Sequence, residues 1–136
     1  MHYVALIDGT SGNFGVVVPD LPGCTSAGDT IEEAVRNAIE AIRLWVEDAE
    51  ADGDKVPKAR SIDSVCDDTD VRAALAKGAM LAVIPLLHDS GRSAKANVSM
   101  DSGLLEAIDE AAARRGLTRS AFLATAAREK LEREAA

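Results

Sequence analysis

Residues 94–100, Ala-Lys-Ala-Asn-Val-Ser-Met, alternate small or apolar side chains (Ala94, Ala96, Val98, Met100) with polar ones (Lys95, Asn97, Ser99). Period two places the two sets on opposite sides of an extended chain, so the segment reads as a strand with one dry and one wet face. The chain beyond it is helical in pattern. A stretch over about Asp101–Arg115 carries Leu104, Leu105, Ile108, Ala111 and Ala112 on one side, and Gly116 marks its end. Thr118 then opens a last helix over about Arg119–Glu134, with Phe122, Leu123, Ala126, Ala127 and Leu131 inward. One strand and two short helices bury little core, and a strand without a neighbour leaves both edges unpaired. A second copy of the chain supplies the missing partner. Obligate dimerisation is the expectation.

The front of the chain has a different pattern. His2–Ile7 and Phe14–Val18 are β-rich runs separated by the turn cluster Asp8-Gly9-Thr10-Ser11-Gly12-Asn13, which suggests an antiparallel hairpin. Pro19-Asp20-Leu21-Pro22-Gly23 is a rigid turn leading to a short third strand over Cys24–Ala27. Thr30 and Glu33 fit a capping box at the start of a helix that ends near Asp52-Gly53. Ile31, Val35, Ala38, Ile42, Trp45 and Ala49 define its dry face, while Glu32, Arg36, Glu40, Arg43 and Glu47 fall on the wet side. A helical turn at Ser61–Val65 and a short helix near Val71–Lys77 come next. Ala79–Leu87 then reads as a strand that Pro85 confines to an edge or an end. The fold class is α+β, with a βββαβ unit at 1–88, a hinge at 89–93 and a βαα unit at 94–134.

Charge separates the two units. The whole chain carries a net charge of −8. Residues 1–57 alone hold eleven Asp or Glu against three Lys or Arg, whereas residues 92–136 hold seven against eight. The acidic unit suits a basic partner and the locally basic one a polyanion. Cys24 and Cys66 are isolated, no apolar run reaches the roughly 18 residues of a membrane span, and no secretory signal is visible. The chain is therefore read as cytoplasmic, with no membrane partner, cofactor or metal.

Residues 92–134 resemble the ribbon-helix-helix class of bacterial regulators, in which strands from two chains form a ribbon lying in the DNA major groove. That resemblance assigns base reading to Lys95, Asn97 and Ser99, whose side chains suit guanine, adenine and either base. It assigns phosphate contact to Thr118, Arg119 and Ser120 at the start of the last helix. The run from Phe14 to Trp45 resembles the signature of HicB antitoxins, with Pro19, Asp20, Leu21, Pro22, Gly23, Cys24, Gly28, Asp29, Thr30, Glu33 and Ala34 on the pattern. Gly116–Leu131 matches the tail of members with a ribbon-helix-helix end. Lys58–Ser93 matches poorly, and Asp101 stands where relatives more often have proline. The resemblance implies a type II toxin–antitoxin module. Its first domain would be a truncated, non-catalytic ribonuclease H fold that neutralises a small basic HicA-like ribonuclease toxin. Its second would be a homodimer, or a dimer of dimers, that binds operator DNA and represses its own operon. Glu32, Glu40 and Glu47 are the candidate toxin contacts.

Other readings are weaker. Asp8, Glu33 and Asp63 offer carboxylates for a metal-dependent nuclease, but nothing in the sequence converges them. Cys24 with His2 or His88 lacks an orienting acid, and two Cys and two His without a close pair make a poor metal site. Trp45 is expected in the core, and Arg114 and Arg115 favour a helix end. A stand-alone ribbon-helix-helix repressor with a sensing domain is the alternative from a different class.

Overall fold

The structure, a computed structural model, describes residues 1–88 and 93–135. It divides into two compact units, residues 1–88 with 132–135, and residues 93–131. In the first, β1 (His2–Thr10), β2 (Asn13–Val17), β3 (Thr25–Gly28) and β4 (Met80–Pro85) form an antiparallel sheet in the order β3-β2-β1-β4. β4 lies at the edge, as Pro85 requires, and ends on that residue. The hairpin turn is tighter than the sequence suggested. β1 runs on through Asp8-Gly9-Thr10 because Gly9 adopts φ 104°, where a Cβ would meet the Asn13 carbonyl oxygen at 2.1 Å.

Alternation along β1 divides the apolar side chains between the two faces. Tyr3, Ala5 and Ile7 join Val16, Val18 and Ile84 beneath helix α1 (Ile31–Ala51). Val4 and Leu6 face the other way, against α2 (Ile62–Cys66) and α3 (Thr69–Ala76), where Val65 and Val71 are buried. Each fully buried aliphatic side chain contributes roughly 1.5–3 kcal/mol, so the two layers hold the sheet from both sides.

The capping box forms at α1. The Glu33 amide donates to Thr30 Oγ1 at 3.1 Å, and the Glu33 carboxylate accepts from the Asp29 amide at 3.2 Å. Gly28 is needed for close packing, because a Cβ there would lie 2.5 Å from the Ala34 nitrogen. The buried stripe is Ala34, Val35, Ala38, Ile39, Ile42, Val46 and Ala49. Ile31 and Trp45, expected on the dry face, flank it half-buried. Trp45 packs at the core's border with Nε1 donating to the Pro22 carbonyl at 3.0 Å.

In the second unit α4 (Ser102–Arg114) and α5 (Arg119–Ala135) stand where expected. Asp101 caps α4, accepting from the Gly103 and Leu104 amides at 2.9 and 3.1 Å, so the helix starts where its residue type suggests. Gly116, at φ 67°, ends α4, and the Leu117 amide donates back to the Ala112 carbonyl at 2.9 Å. The strand expected over Ala94–Met100 is absent from the single chain. Residues 93–100 form no ladder with any described residue. Of the expected hinge at 89–93, residues 89–92 lie outside the described residues.

Candidate functional site

The turn Pro19–Cys24 is an internal fastening. Val18 and Cys24 close it through an amide-to-carbonyl bond of 3.1 Å, and Leu21 is fully buried. Asp20, whose side chain is 5% exposed, accepts from the Arg60 backbone amide at 2.9 Å and from Arg60 Nε at 2.6 Å. The same guanidinium forks onto Asp68 at 3.0 and 2.8 Å. Tyr3 hydroxyl donates to the Pro57 carbonyl at 2.7 Å. Asp20 and Tyr3 thus pin the loop after α1 to the turn and to the sheet, while Trp45 ties α1 itself to the turn. The Arg60 guanidinium holds the Asp68 carboxyl below the usual carboxylate range by hydrogen bonding. No local signal in the sequence links Asp20 to a residue forty positions away.

The acidic face of α1 is partly compensated from within. Arg43 donates to Glu40 and, at 2.6 Å, to Glu47. The Arg43 hydrogen bond lowers the Glu40 pKa. Glu32 is exposed and has no ion-pair partner among the described residues. The candidates Glu32, Glu40 and Glu47 therefore share one helix but not one electrostatic state.

The carboxylates Asp8, Glu33 and Asp63 are not gathered. Glu33 is spent on the cap of α1, and no group of three or more metal-ligating side chains occurs among the described residues. Cys24 is buried, which pushes its thiol pKa up and makes it a poorer nucleophile. His88 Nε2 lies 3.1 Å from Glu50, away from any role with Cys24, and His2 is exposed.

In the second unit Lys95, Asn97 and Ser99 are all exposed on the segment that lacks a ladder. Thr118 is committed as the cap of α5: its Oγ1 accepts from the Ala121 amide at 3.1 Å and its carbonyl from the Phe122 amide at 3.0 Å. Among the described residues the amides of Arg119 and Ser120, in the first turn of α5, have no backbone acceptor. Arg119 itself forks onto Asp109 at 2.8 and 2.7 Å. That hydrogen bonding raises the Arg119 pKa and lowers that of Asp109. The ion pair was not foreseen from the sequence. Arg115 stacks 5.7 Å from the centre of the Phe122 ring. Arg114 lies in the last turn of α4, where a cation favours the helix dipole.

Residues 3–127 match the family described as HicB-like antitoxin of bacterial toxin-antitoxin system. The chain belongs to the HicB-like antitoxins. Membership places it among antitoxins and not among enzymes. An uncharacterised 14.9 kDa protein of Haemophilus phage HP1 is 33% identical over 110 residues, 81% of this chain and 80% of its own. Among solved structures, the antitoxin HicB of Burkholderia pseudomallei is 33% identical with a TM-score of 0.56, covering 96% of this chain and 98% of its own. A chain of the HicA3 and HicB3 toxin-antitoxin complex is 27% identical with a TM-score of 0.53, over 65% of this chain and 99% of its own. HicB-like antitoxins therefore supply relatives for both units of the chain. No helix among the described residues is long and apolar enough to cross a membrane.

Proposed function

We propose that the chain neutralises a small, basic, HicA-like ribonuclease toxin through residues 1–88 and represses its own operon through residues 94–134. The observation that carries this reading is the family match, which runs through both units, together with the likeness to a chain of a toxin–antitoxin complex. The β-β-β-α order of the first unit supports kinship with a ribonuclease H fold cut short and put to binding. Its acidic surplus suits a toxin that must itself hold RNA. On α1, Glu32, Glu40 and Glu47 offer acidic surface, and a toxin cation at the last two has to share them with Arg43.

The DNA reading rests on the second unit. Two copies of residues 94–100 would pair as an antiparallel ribbon, presenting Lys95, Asn97 and Ser99 to base edges. The first turn of α5 would meet phosphate through the Arg119 and Ser120 amides. Arg119, paired with Asp109, would bring its charge to that phosphate already oriented.

The test is co-expression with the small basic polypeptide encoded by the adjoining reading frame. Relief of growth arrest and co-purification of the two chains are expected. Persistent arrest with no complex overturns the antitoxin role. For the DNA half, Asn97→Ala should abolish operator-specific binding in a gel-shift assay while the dimer persists, and binding should weaken steeply with salt.

A further inference from the structure

We infer that the toxin docks in a groove between β2 and α3, on the sheet face opposite α1, and not on the Glu32, Glu40 and Glu47 face of that helix; this deepens the antitoxin reading and rests on it. α2 and α3 cover Val4 and Leu6 but leave the β2 side of that face open. Val17, directly opposite Leu6 in register, is 46% exposed although it lies in the middle of a sheet row. Two adjoining hollows of about 670 and 460 Å³ occupy the gap, and both are lined by Asp8, Asp70, Ala74 and Ala79. Gly15, opposite Asp8, keeps the floor deep, because a Cβ there would sit 3.1 Å from the Asp8 carboxylate.

The groove differs from the α1 face in how its charge is held. The Asp8 and Asp70 residues are exposed, and neither carboxylate enters an ion pair among the described residues. Asp68, at one end, is already held by Arg60, and Lys77 is the cation that lines the larger hollow. Two unpaired carboxylates in a concave, partly apolar site focus negative potential. Covering them without a counter-charge would be costly, so the site selects an occupant that brings one. The apolar floor of Leu6, Val17 and Ala74 selects an uncharged side chain between the cations. The fitting occupant is a protein surface with Lys or Arg flanking an apolar anchor. A nucleic acid is repelled by these carboxylates. A second copy of this unit, bearing the same acidic surplus, is disfavoured for the same reason.

The experiment measures affinity by calorimetry between this chain and the small basic HicA-like toxin used in that co-expression. Asp8→Lys with Asp70→Lys should weaken binding on the order of 100-fold, with the thermal midpoint of the free protein unchanged. The charge-matched pair Asp48→Lys with Asp52→Lys, on the far end of α1, should leave affinity within about threefold. Lys77→Glu should tighten binding and speed association at low salt, a gain that misfolding does not produce. Wild-type affinity in the Asp8/Asp70 variant overturns the groove, as does weaker binding by Lys77→Glu. So does loss of binding from Glu32→Lys alone, which moves the contact to α1. A changed oligomeric state in the groove variants with toxin affinity intact assigns the groove to a second copy and also overturns it. Failure of the wild-type chain to bind the toxin removes the antitoxin reading itself, and the groove assignment with it.

Discussion

Residues 1–88 and 93–131 draw on the same small set of aliphatic side chains but use them in opposite ways. In the first unit Tyr3, Leu21, Ile42 and Ile84 are fully enclosed, and two layers of helix press on one sheet. In the second, Ile108 and Ala112 are the buried apolar residues among those described, while Val98 is 69% exposed, Leu104 53% and Leu131 45%. One unit completes its core within a chain. The other leaves much of its apolar surface exposed. The contrast teaches that apolar content alone does not decide autonomy; what decides it is whether every strand edge and helix face finds its complement in the same chain.

Substitutions can break or sharpen that contrast, and the largest effect belongs to the closed core. Ile42→Ala should cost about 2–5 kcal/mol in the unfolding of the first unit, read from a urea titration followed by Trp45 fluorescence. The same titration on Asp20→Ala should show a smaller loss of about 1–3 kcal/mol, since the Arg60 amide and guanidinium lose a buried acceptor. Leu104→Lys should leave that transition unmoved. Its effect should appear only in assembly, as a shift from dimer to monomer in sedimentation analysis. If Leu104→Lys instead destabilises the first unit, the proposed division of labour fails. The smallest effect concerns Asp109. Arg119 holds its carboxyl below the ordinary value, so the pair stabilises the second unit above about pH 4 and that contribution is lost as the pH falls through the lowered value. Asp109→Asn should flatten this part of the acid limb of second-unit helicity, and an unaltered limb would show the pair to be energetically silent.

Local chemistry was the most legible part of the fold. Thr30 with Glu33, Asp101, Gly116 and Thr118 mark helix ends by residue type alone, and each performs that task in the structure. The hydrophobic period found α1 but misjudged its midline. Trp45 is the larger residue, yet Ile39 and Val46 point more directly at the sheet and Trp45 is drawn to the border by the Pro22 carbonyl. Partnerships across the chain were not legible. Arg60 reaches Asp20 and Asp68, and Arg119 reaches Asp109, through the path of the backbone rather than through any spacing. The groove was hidden for the same reason. Asp8 reads as a turn residue and Asp70 as one acid in a polar run, and only the register of β1 with β2 and the placement of α3 bring them to one hollow. Residues 94–100 read as a strand from period two alone, yet they form no ladder in the single chain.

The fastening at Pro19–Cys24 has a consequence for how such proteins diversify. Within the most recognisable stretch of the sequence Asp20 and Leu21 answer to Arg60 and the core, while Pro22 and Gly23 stay exposed. A lineage can hold that stretch constant and still redraw its outer surfaces one residue at a time. Two chains with identical turns would then share a scaffold while refusing each other's cognate toxin, and ancestry would be written in one set of residues and allegiance in another.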